Sequence, residues 1–152
     1  MGSAAPDFAA PDQDQRSVRL SALRGHTVVL YFYPRAETPG CTIQACGIRD
    51  RTSEYEAAGA VVVGVSPDPP SRLRRFAGKH GLPFVLVSDP HHEIARAYGA
   101  GVRRSRLGRT RWATERSTFV VGPDGTVTHA FLRVSPREHD EIVLGALSAA
   151  YR

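Results

Sequence analysis

Cys41 and Cys46 are the residues of this sequence best able to do nucleophilic or redox chemistry, and they are its only cysteines. Four residues separate them in a C-x-x-x-x-C pattern, so they do not form the C-x-x-C pair of dithiol redox centres. A structural zinc site needs four ligands, and no further cysteine or histidine pair lies nearby at the required spacing. We therefore expect no metal here. Two unreactive buried cysteines remain the alternative to a reactive thiol.

The position of Cys41 favours the reactive thiol. Thr38 is a typical helix N-cap, and Pro39 is typical of the first helical position. Cys41 is then the third helical residue, where free backbone N–H groups and the positive end of the helix dipole favour an anion. Helix N-termini are sites at which thiols acquire lowered pKa values. The sequence therefore predicts Cys41 as a candidate thiolate.

The elements that must position this thiol are indicated by apolar runs of strand length that alternate with helix-like stretches. We predict strands over residues 28–33, 60–66, 84–87, 117–121 and 126–132, and helices over 38–59, 70–80, 92–98 and 136–151. This order predicts an α/β domain with a mixed central sheet flanked by helices. Reactive groups are expected at the carboxyl ends of the parallel strands, and the cysteine segment directly follows the first of these strands.

Length and composition are those of one globular domain over residues 1–152. Hydrophobic residues make up 41% of the chain and charged residues 23%, and no stretch approaches the ~20 apolar residues of a membrane span. Prolines and aspartates near the start occupy positions where a signal peptide would be apolar. We therefore expect a cytoplasmic protein with no membrane partner.

The net charge of +5 comes from one segment. Residues 101–116 contain six arginines and a single acid, Glu115, while the other cations and acids cancel. The segment contains glycine, and we expect a loop that faces solvent or substrate. Nucleic-acid binding is the less favoured alternative, because Trp112 is the only aromatic residue among these arginines.

Residues 34–50 resemble the active-site signature of the peroxiredoxins. Pro34, Thr38 and Cys41 form the pattern P-x-x-x-T-x-x-C, and Cys46 follows in a context similar to the bacterioferritin comigratory protein and peroxiredoxin Q branch. Gly-Val-Ser-Pro-Asp from residue 64 and Arg-Ser-Thr-Phe-Val-Val from Arg116 extend the resemblance over nearly the whole chain. The resemblance implies a thioredoxin-like fold and a thiol peroxidase that uses no metal or organic cofactor.

The resemblance also implies a role for each site residue. Cys41 attacks the hydroperoxide, Thr38 Oγ1 and the Cys41 backbone N–H hold it, Arg116 orients thiolate and peroxide, and Pro34 shields the site from water. Cys46 then condenses with the Cys41 sulfenic acid, and thioredoxin or a similar dithiol donor reduces the resulting disulfide. An external thiol is the alternative to Cys46. The branch is often monomeric, so we expect a monomer.

Two other functions stay open at this point. A thioredoxin-like disulfide oxidoreductase would share the fold, although the C-x-x-C motif is absent, and nucleic-acid binding would use residues 101–116. Gln44 and Ile48 stand where related sequences often carry other residues, and residues 101–116 contain more arginines than the resemblance leads us to expect. These departures leave the preferred hydroperoxide open.

The spacing of the cysteines carries a conformational expectation. On one regular helix their Cα atoms would lie roughly 8.6 Å apart, and the side chains would point about 140° away from each other. A disulfide needs Cα atoms within ~7 Å and converging Cβ vectors. We therefore expect the helix from Gly40 to about Gly47 to unwind in each catalytic cycle.

Overall fold

The computed structural model describes residues 2–149, which form a mixed α/β structure. The elements in chain order are β1 (Ala9–Pro11), β2 (Ser17–Arg19), a 3-10 turn (Leu20–Leu23), β3 (Thr27–Phe32), α1 (Pro39–Asp50), α2 (Thr52–Ala57), β4 (Ala60–Ser66), α3 (Pro70–His80), β5 (Val85–Ser88), α4 (Glu93–Ala97), β6 (Gly101–Arg106), β7 (Arg109–Thr114), β8 (Ser117–Val121), β9 (Val127–Leu132) and α5 (His139–Ala149). No helix within residues 2–149 is long and apolar enough to cross a bilayer.

The central sheet has five strands in the order β5-β4-β3-β8-β9. Strand β3 is parallel to β4, and β4 is parallel to β5, whereas β8 pairs antiparallel with both β3 and β9. Every residue of β3 is buried, as its β-branched and aromatic sequence TVVLYF predicts. Strand β3 is therefore the centre of the fold, with both faces covered.

Successive side chains of β3 point to opposite faces of the sheet, so they belong to two separate parts of the core. Val29 and Tyr31 lie in one cluster, whose other members come largely from α1, α2, α3 and α5. Val28, Leu30 and Phe32 lie in the second cluster, with residues of α4 and the N-terminal segment. The mixed sheet flanked by helices is confirmed.

The strands predicted over 60–66 and 117–121 and the helix predicted over 70–80 are confirmed at their bounds. The predicted helix over 38–59 is wrong in one respect, because it is interrupted at Arg51 (φ −114°, ψ 21°) and forms α1 and α2. The Thr52 hydroxyl donates to the carbonyls of Arg49 (2.8 Å) and Ile48 (3.3 Å). Such back-bonding by a threonine hydroxyl bends helices.

Other differences lie at element ends. The first predicted strand ends at Phe32, one residue early, although the Tyr33 N–H still donates to the Val65 carbonyl at 3.0 Å. The predicted helix over 92–98 is shorter, since His92 has a left-handed φ of 56° and lies outside α4. The closing helix begins at His139, after a turn over 136–138, and its predicted end at 150–151 lies outside the described residues.

The predicted loop over residues 101–116 is wrong. Strands β6 and β7 form a separate two-stranded hairpin, joined by Leu107 (φ 53°) and Gly108 (φ 76°). Two successive residues with positive φ are typical of the tight turns that join twisted hairpin strands. We refer to residues 101–114 as the arginine hairpin.

Candidate active site

Cys41 lies at the amino end of α1, just after the carboxyl end of β3. Thr38 occupies the N-cap position with extended backbone (φ −77°, ψ 154°), and Pro39 is the first helical residue. Cys41 is therefore the third helical residue, as the sequence predicts, and it is only 1% exposed. The structure places its sulfur in the first turn of the helix, where backbone N–H groups have no intrahelical partner.

Arg116 approaches this sulfur from the neighbouring strand. Register pairing sets Ser117 of β8 opposite Phe32 of β3, so Arg116 stands beside the carboxyl end of β3. Its Nη2 donates to Cys41 Sγ at 3.4 Å. A guanidinium keeps its charge at any physiological pH and holds its donors in one plane. The structure thus brings together the two residues predicted to share the chemistry.

Gln44 holds the other side of the guanidinium. Its Oε1 accepts from Arg116 Nη1 at 2.6 Å, and the side chain is fully buried. Gln44 follows Cys41 by three positions, so both lie on one face of α1. That spacing places Gln44 beside Cys41, but its bond to Arg116 joins residues that are 72 positions apart, and the sequence alone does not reveal it.

Arg116 carries its charge without a carboxylate partner. No acidic side chain in residues 2–149 lies within 4.0 Å of its guanidinium, and Gln44 is neutral. The positive charge therefore faces the Cys41 sulfur without neutralisation by a neighbouring carboxylate. An arrangement of this kind favours negative charge at sulfur and at any oxygen bound beside it.

Gly40 allows the guanidinium to lie against the helix. A Cβ at this position would lie 3.1 Å from Arg116 Nη2 and 3.5 Å from Pro136 Cγ. A larger residue would push the guanidinium away from the first turn. Gly40 is therefore needed for the packing of Arg116 against α1, and Cys41 beside it supplies the thiol.

Thr38 and Pro34 lie in the segment between β3 and α1. The Thr38 hydroxyl does not cap α1, contrary to the sequence expectation, because it donates to the Arg35 carbonyl at 2.8 Å. Its backbone occupies the predicted N-cap position nonetheless. Pro34 is exposed and is the second residue of the loop between β3 and α1.

An open depression of about 270 Å³ lies beside Thr38. Its charged lining residues are one acid, Glu37, and three arginines, Arg35, Arg72 and Arg75. Of these three, Arg72 has a carboxylate within 4.0 Å, from Asp68 at 3.7 Å. The approach to Thr38 is therefore positively charged.

Asp68 fixes the loop that carries these residues. Its Oδ2 accepts from the Ala36 backbone N–H at 2.7 Å and from the Ser66 hydroxyl at 2.8 Å. Asp68 follows the carboxyl end of β4 and is 5% exposed. The sequence marks Asp68 only as part of the Gly-Val-Ser-Pro-Asp segment and does not predict this structural role.

Tyr31 of β3 and Tyr33, which directly follows β3, pack in the same buried cluster as Cys41. The rings of Tyr31 and Tyr33 stack with centroids 5.3 Å apart. Burial raises the pKa of both hydroxyls, and negative charge at Cys41 acts in the same direction. Both phenols are therefore neutral at physiological pH and add no competing anion near the thiol.

Cys46 shares α1 with Cys41, and both cysteines are free thiols. Cys46 is half-buried, whereas Cys41 is buried. The helix is continuous from Pro39 to Asp50, so the geometry of a regular helix holds the two sulfurs apart. The structure brings Cys41, Gln44 and Arg116 together, and it does not bring Cys46 to them.

The family described as AhpC/TSA matches residues 1–130 of the chain. Peroxiredoxin Bcp of Escherichia coli is 42% identical over 146 residues, which cover 96% of this chain and 94% of that protein. A putative peroxiredoxin of Mycobacterium tuberculosis is 45% identical over 138 residues, with 91% of this chain and 88% of that protein covered. The chain is thus similar to these proteins along nearly its whole length.

Solved structures give the same result. A structure of the Xanthomonas campestris bacterioferritin comigratory protein, described in terms of alkyl peroxide reduction activity, has a TM-score of 0.90 and 33% identity, with 95% of this chain and 92% of that chain covered. Peroxidoxin BcpB of Mycobacterium tuberculosis has a TM-score of 0.88 and 37% identity, with 97% and 96% covered. The prediction of a thioredoxin-like fold is confirmed.

Proposed function

The chain belongs to the AhpC/TSA family of peroxiredoxins, and from this we propose the steps by which it acts as a thiol peroxidase. The proposal covers one peroxiredoxin domain over residues 1–152, active as a monomer in the cytoplasm. The observation that carries it is the 3.4 Å contact between Arg116 Nη2 and Cys41 Sγ at a helix N-terminus.

The first step is attack of the Cys41 thiolate on a hydroperoxide oxygen. The S–O bond forms as the O–O bond breaks, the attacked oxygen stays on sulfur, and the leaving oxygen takes a proton from solvent to give water or an alcohol. Cys41 becomes a sulfenic acid, so sulfur is oxidised while the peroxide is reduced. No metal or organic cofactor takes part.

Ionisation of the thiol supplies only part of the rate. A thiol with an ordinary pKa near 8.5 is about 3% ionised at pH 7, so complete ionisation gains roughly thirtyfold, or ~2 kcal/mol. The remainder must come from donors aimed at the oxygen that develops charge as the O–O bond breaks. Arg116 is suited to this role because its charge has no carboxylate partner within 4.0 Å in residues 2–149.

Thr38 and Pro34 complete the proposed site. The Thr38 hydroxyl, which donates its own proton to the Arg35 carbonyl, accepts a hydrogen bond from the peroxide O–H, while the Cys41 backbone N–H donates to a peroxide oxygen. Pro34 covers the outer side of the bound peroxide and limits the access of water. The positive depression lined by Arg35, Arg72 and Arg75 favours hydroperoxides that carry an anionic group.

Resolution uses Cys46 after α1 opens. The Cys46 thiol attacks the sulfenic sulfur, the S–S bond forms, and water leaves. A dithiol donor such as thioredoxin then reduces the disulfide by exchange and becomes oxidised itself. An external thiol in place of Cys46 is the competing route.

Peroxide-dependent turnover with a thioredoxin system tests these steps. Wild type should consume hydrogen peroxide and an organic hydroperoxide, whereas Cys41→Ser should show no turnover, since a hydroxyl is too weak a nucleophile. Cys46→Ser should be inactive with thioredoxin but regain turnover with a small external thiol. Turnover by Cys41→Ser would contradict the assignment of the nucleophile, and full thioredoxin-dependent turnover by Cys46→Ser would contradict the resolving step.

A further inference from the structure

The arginine hairpin carries positive charge that no neighbour neutralises. Its arginines are Arg103, Arg104, Arg106, Arg109 and Arg111, all of them exposed. None forms an ion pair within 4.0 Å with another residue of 2–149. Glu115, the one acid between 101 and 116, is bound instead to Arg133 at 2.6 Å. The hairpin therefore presents its full charge to solvent.

Four of these arginines share one face of the ribbon. The strand register sets Arg104 opposite Arg111 and Arg106 opposite Arg109, and side chains opposite one another point to the same face. Like charges directly opposite in a ladder are destabilising. This face is therefore stabilised when an array of anions lies against it.

The tip of the hairpin is apolar. Leu107 is 95% exposed and occupies the turn with a positive φ of 53°, which is uncommon for a residue other than glycine, asparagine or aspartate. Arg106 and Arg109 flank the turn. An apolar side chain surrounded by guanidinium groups suits a bilayer surface, where the apolar group enters the acyl boundary and the cations bind lipid phosphates.

A nucleic acid fits this surface less well. Unstacked bases need free aromatic faces, and Trp112 is the only aromatic residue of the hairpin. Its ring already lies against two guanidinium groups, those of Arg96 at 4.2 Å and Arg103 at 5.2 Å. Trp112 also shares its ribbon face with Arg103 rather than with the four paired arginines.

We propose that the arginine hairpin is a peripheral docking surface for anionic phospholipid bilayers. This revises the expectation of no membrane partner, which considered spanning and signal segments alone. Arg116 follows the end of β7 by two residues, so the strand that carries Arg109 and Arg111 is continuous in the chain with the residue that contacts Cys41. Resting on the proposed peroxidase function, the docking assigns hydroperoxides of membrane lipids as a substrate class.

Vesicle co-sedimentation tests the surface independently of the chemistry. The probes are vesicles of phosphatidylcholine alone and of equal parts phosphatidylcholine and phosphatidylglycerol. The hairpin variant replaces Arg104, Arg106, Arg109 and Arg111 by Gln. The matched control replaces four exposed cations elsewhere, Arg16, Arg74, Lys79 and Arg137, by Gln. Both variants lose four positive charges, so a general effect of net charge acts on them equally.

Wild type and the control should bind the anionic vesicles and leave the neutral ones unbound. Each bound arginine contributes about fivefold to partitioning, so the hairpin variant should bind several hundredfold more weakly. Leu107→Ser should weaken binding by about tenfold. Equal binding by the hairpin variant and the control, or binding to single-stranded RNA in preference to anionic vesicles, would overturn the proposal.

Activity measurements separate the docking surface from the proposed function. The hairpin variant should reduce hydrogen peroxide at the wild-type rate and reduce phospholipid hydroperoxide in anionic vesicles much more slowly. Vesicle binding by a wild-type protein that reduces neither substrate would contradict the proposed function and leave the docking surface supported. An unchanged rate of the hairpin variant on vesicle-borne hydroperoxide would overturn the assigned substrate class.

Discussion

Oxidation of Cys41 and Cys46 to a disulfide should unwind the first turns of α1 and lower the stability of the protein. The reduced structure has both cysteines on one unbroken helix. In regular helical geometry their Cα atoms lie roughly 8.6 Å apart, whereas a disulfide usually joins Cα atoms about 5.5–6 Å apart. Closure therefore requires that the backbone between Gly40 and Gly47 leaves the helix.

The free-energy change can be estimated from what this opening exposes. Cys41 and Ala45 are buried at 1% and 0% exposure, and Arg116 loses its contacts with Cys41 and Gln44. Exposure of these side chains and loss of the hydrogen bonds cost about 3–5 kcal/mol. The disulfide constrains the unfolded chain and offsets about 2 kcal/mol of this, because the closed loop is short.

The net destabilisation is therefore about 1–3 kcal/mol, which corresponds to a Tm lower by about 2–12 °C in the oxidised protein. Thermal melts and amide hydrogen exchange on both redox states measure the two effects. Amides of residues 42–49 should lose protection on oxidation, while those of β3 and β4 should keep theirs. Cys46→Ser treated with the same oxidant is the control, because it cannot form this disulfide.

Equal protection of residues 42–49 and equal Tm in both states would refute the unwinding. If mass spectrometry also found no bond between Cys41 and Cys46 after peroxide treatment, an external thiol would be the resolving partner.

Three further changes test the site. Arg116→Ala should slow sulfenic-acid formation by on the order of a hundredfold, an effect much larger than the fall in stability from the lost hydrogen bond to Gln44. Stopped-flow kinetics and a melt measure the two effects, and an unchanged rate would make Arg116 a surface cation. Gln44→Glu should slow peroxide attack by about tenfold without changing the fold, because a buried carboxylate would neutralise the charge of Arg116. Gln44→Leu is the matched control. Faster attack in the Glu variant would contradict the role given to the unneutralised Arg116 charge. The rate with a fatty-acid hydroperoxide, divided by the rate with hydrogen peroxide, should fall as salt rises, because salt screens the attraction between the arginines beside Thr38 and the anionic hydroperoxide. A ratio that does not change with salt would exclude this charge steering.

The sequence is most informative where local chemistry determines structure. The β-branched and aromatic runs of β3 and β4 predict buried strands, and in the structure all residues of β3 and all but one of β4 are buried. Thr38 and Pro39 predict the helix start and with it the helical position of Cys41. Arg116 is predicted only through family resemblance, because the register of β8 against β3 that brings it to Cys41 is a long-range property.

Other features escape sequence reasoning for physical reasons. The arginine hairpin has charged residues on both faces, so no apolar alternation marks its strands. The roles of Gln44 and Asp68 depend on partners far along the chain, at Arg116 and Ala36. The Thr38 hydroxyl prefers the Arg35 carbonyl to the helix N-terminus, a choice that residue type does not reveal.

Site-resolved detection of the first oxidation product tests the central claim most directly. Cys46→Ser, which retains Cys41 alone, would be mixed with one equivalent of hydroperoxide and a sulfenic-acid trap, and the adduct located by peptide mass spectrometry. We predict a single adduct on Cys41, formed in step with peroxide loss and greatly slowed in the Cys46→Ser/Arg116→Ala double variant. Peroxide consumption without a Cys41 adduct, or an adduct that forms equally fast without Arg116, would contradict the account.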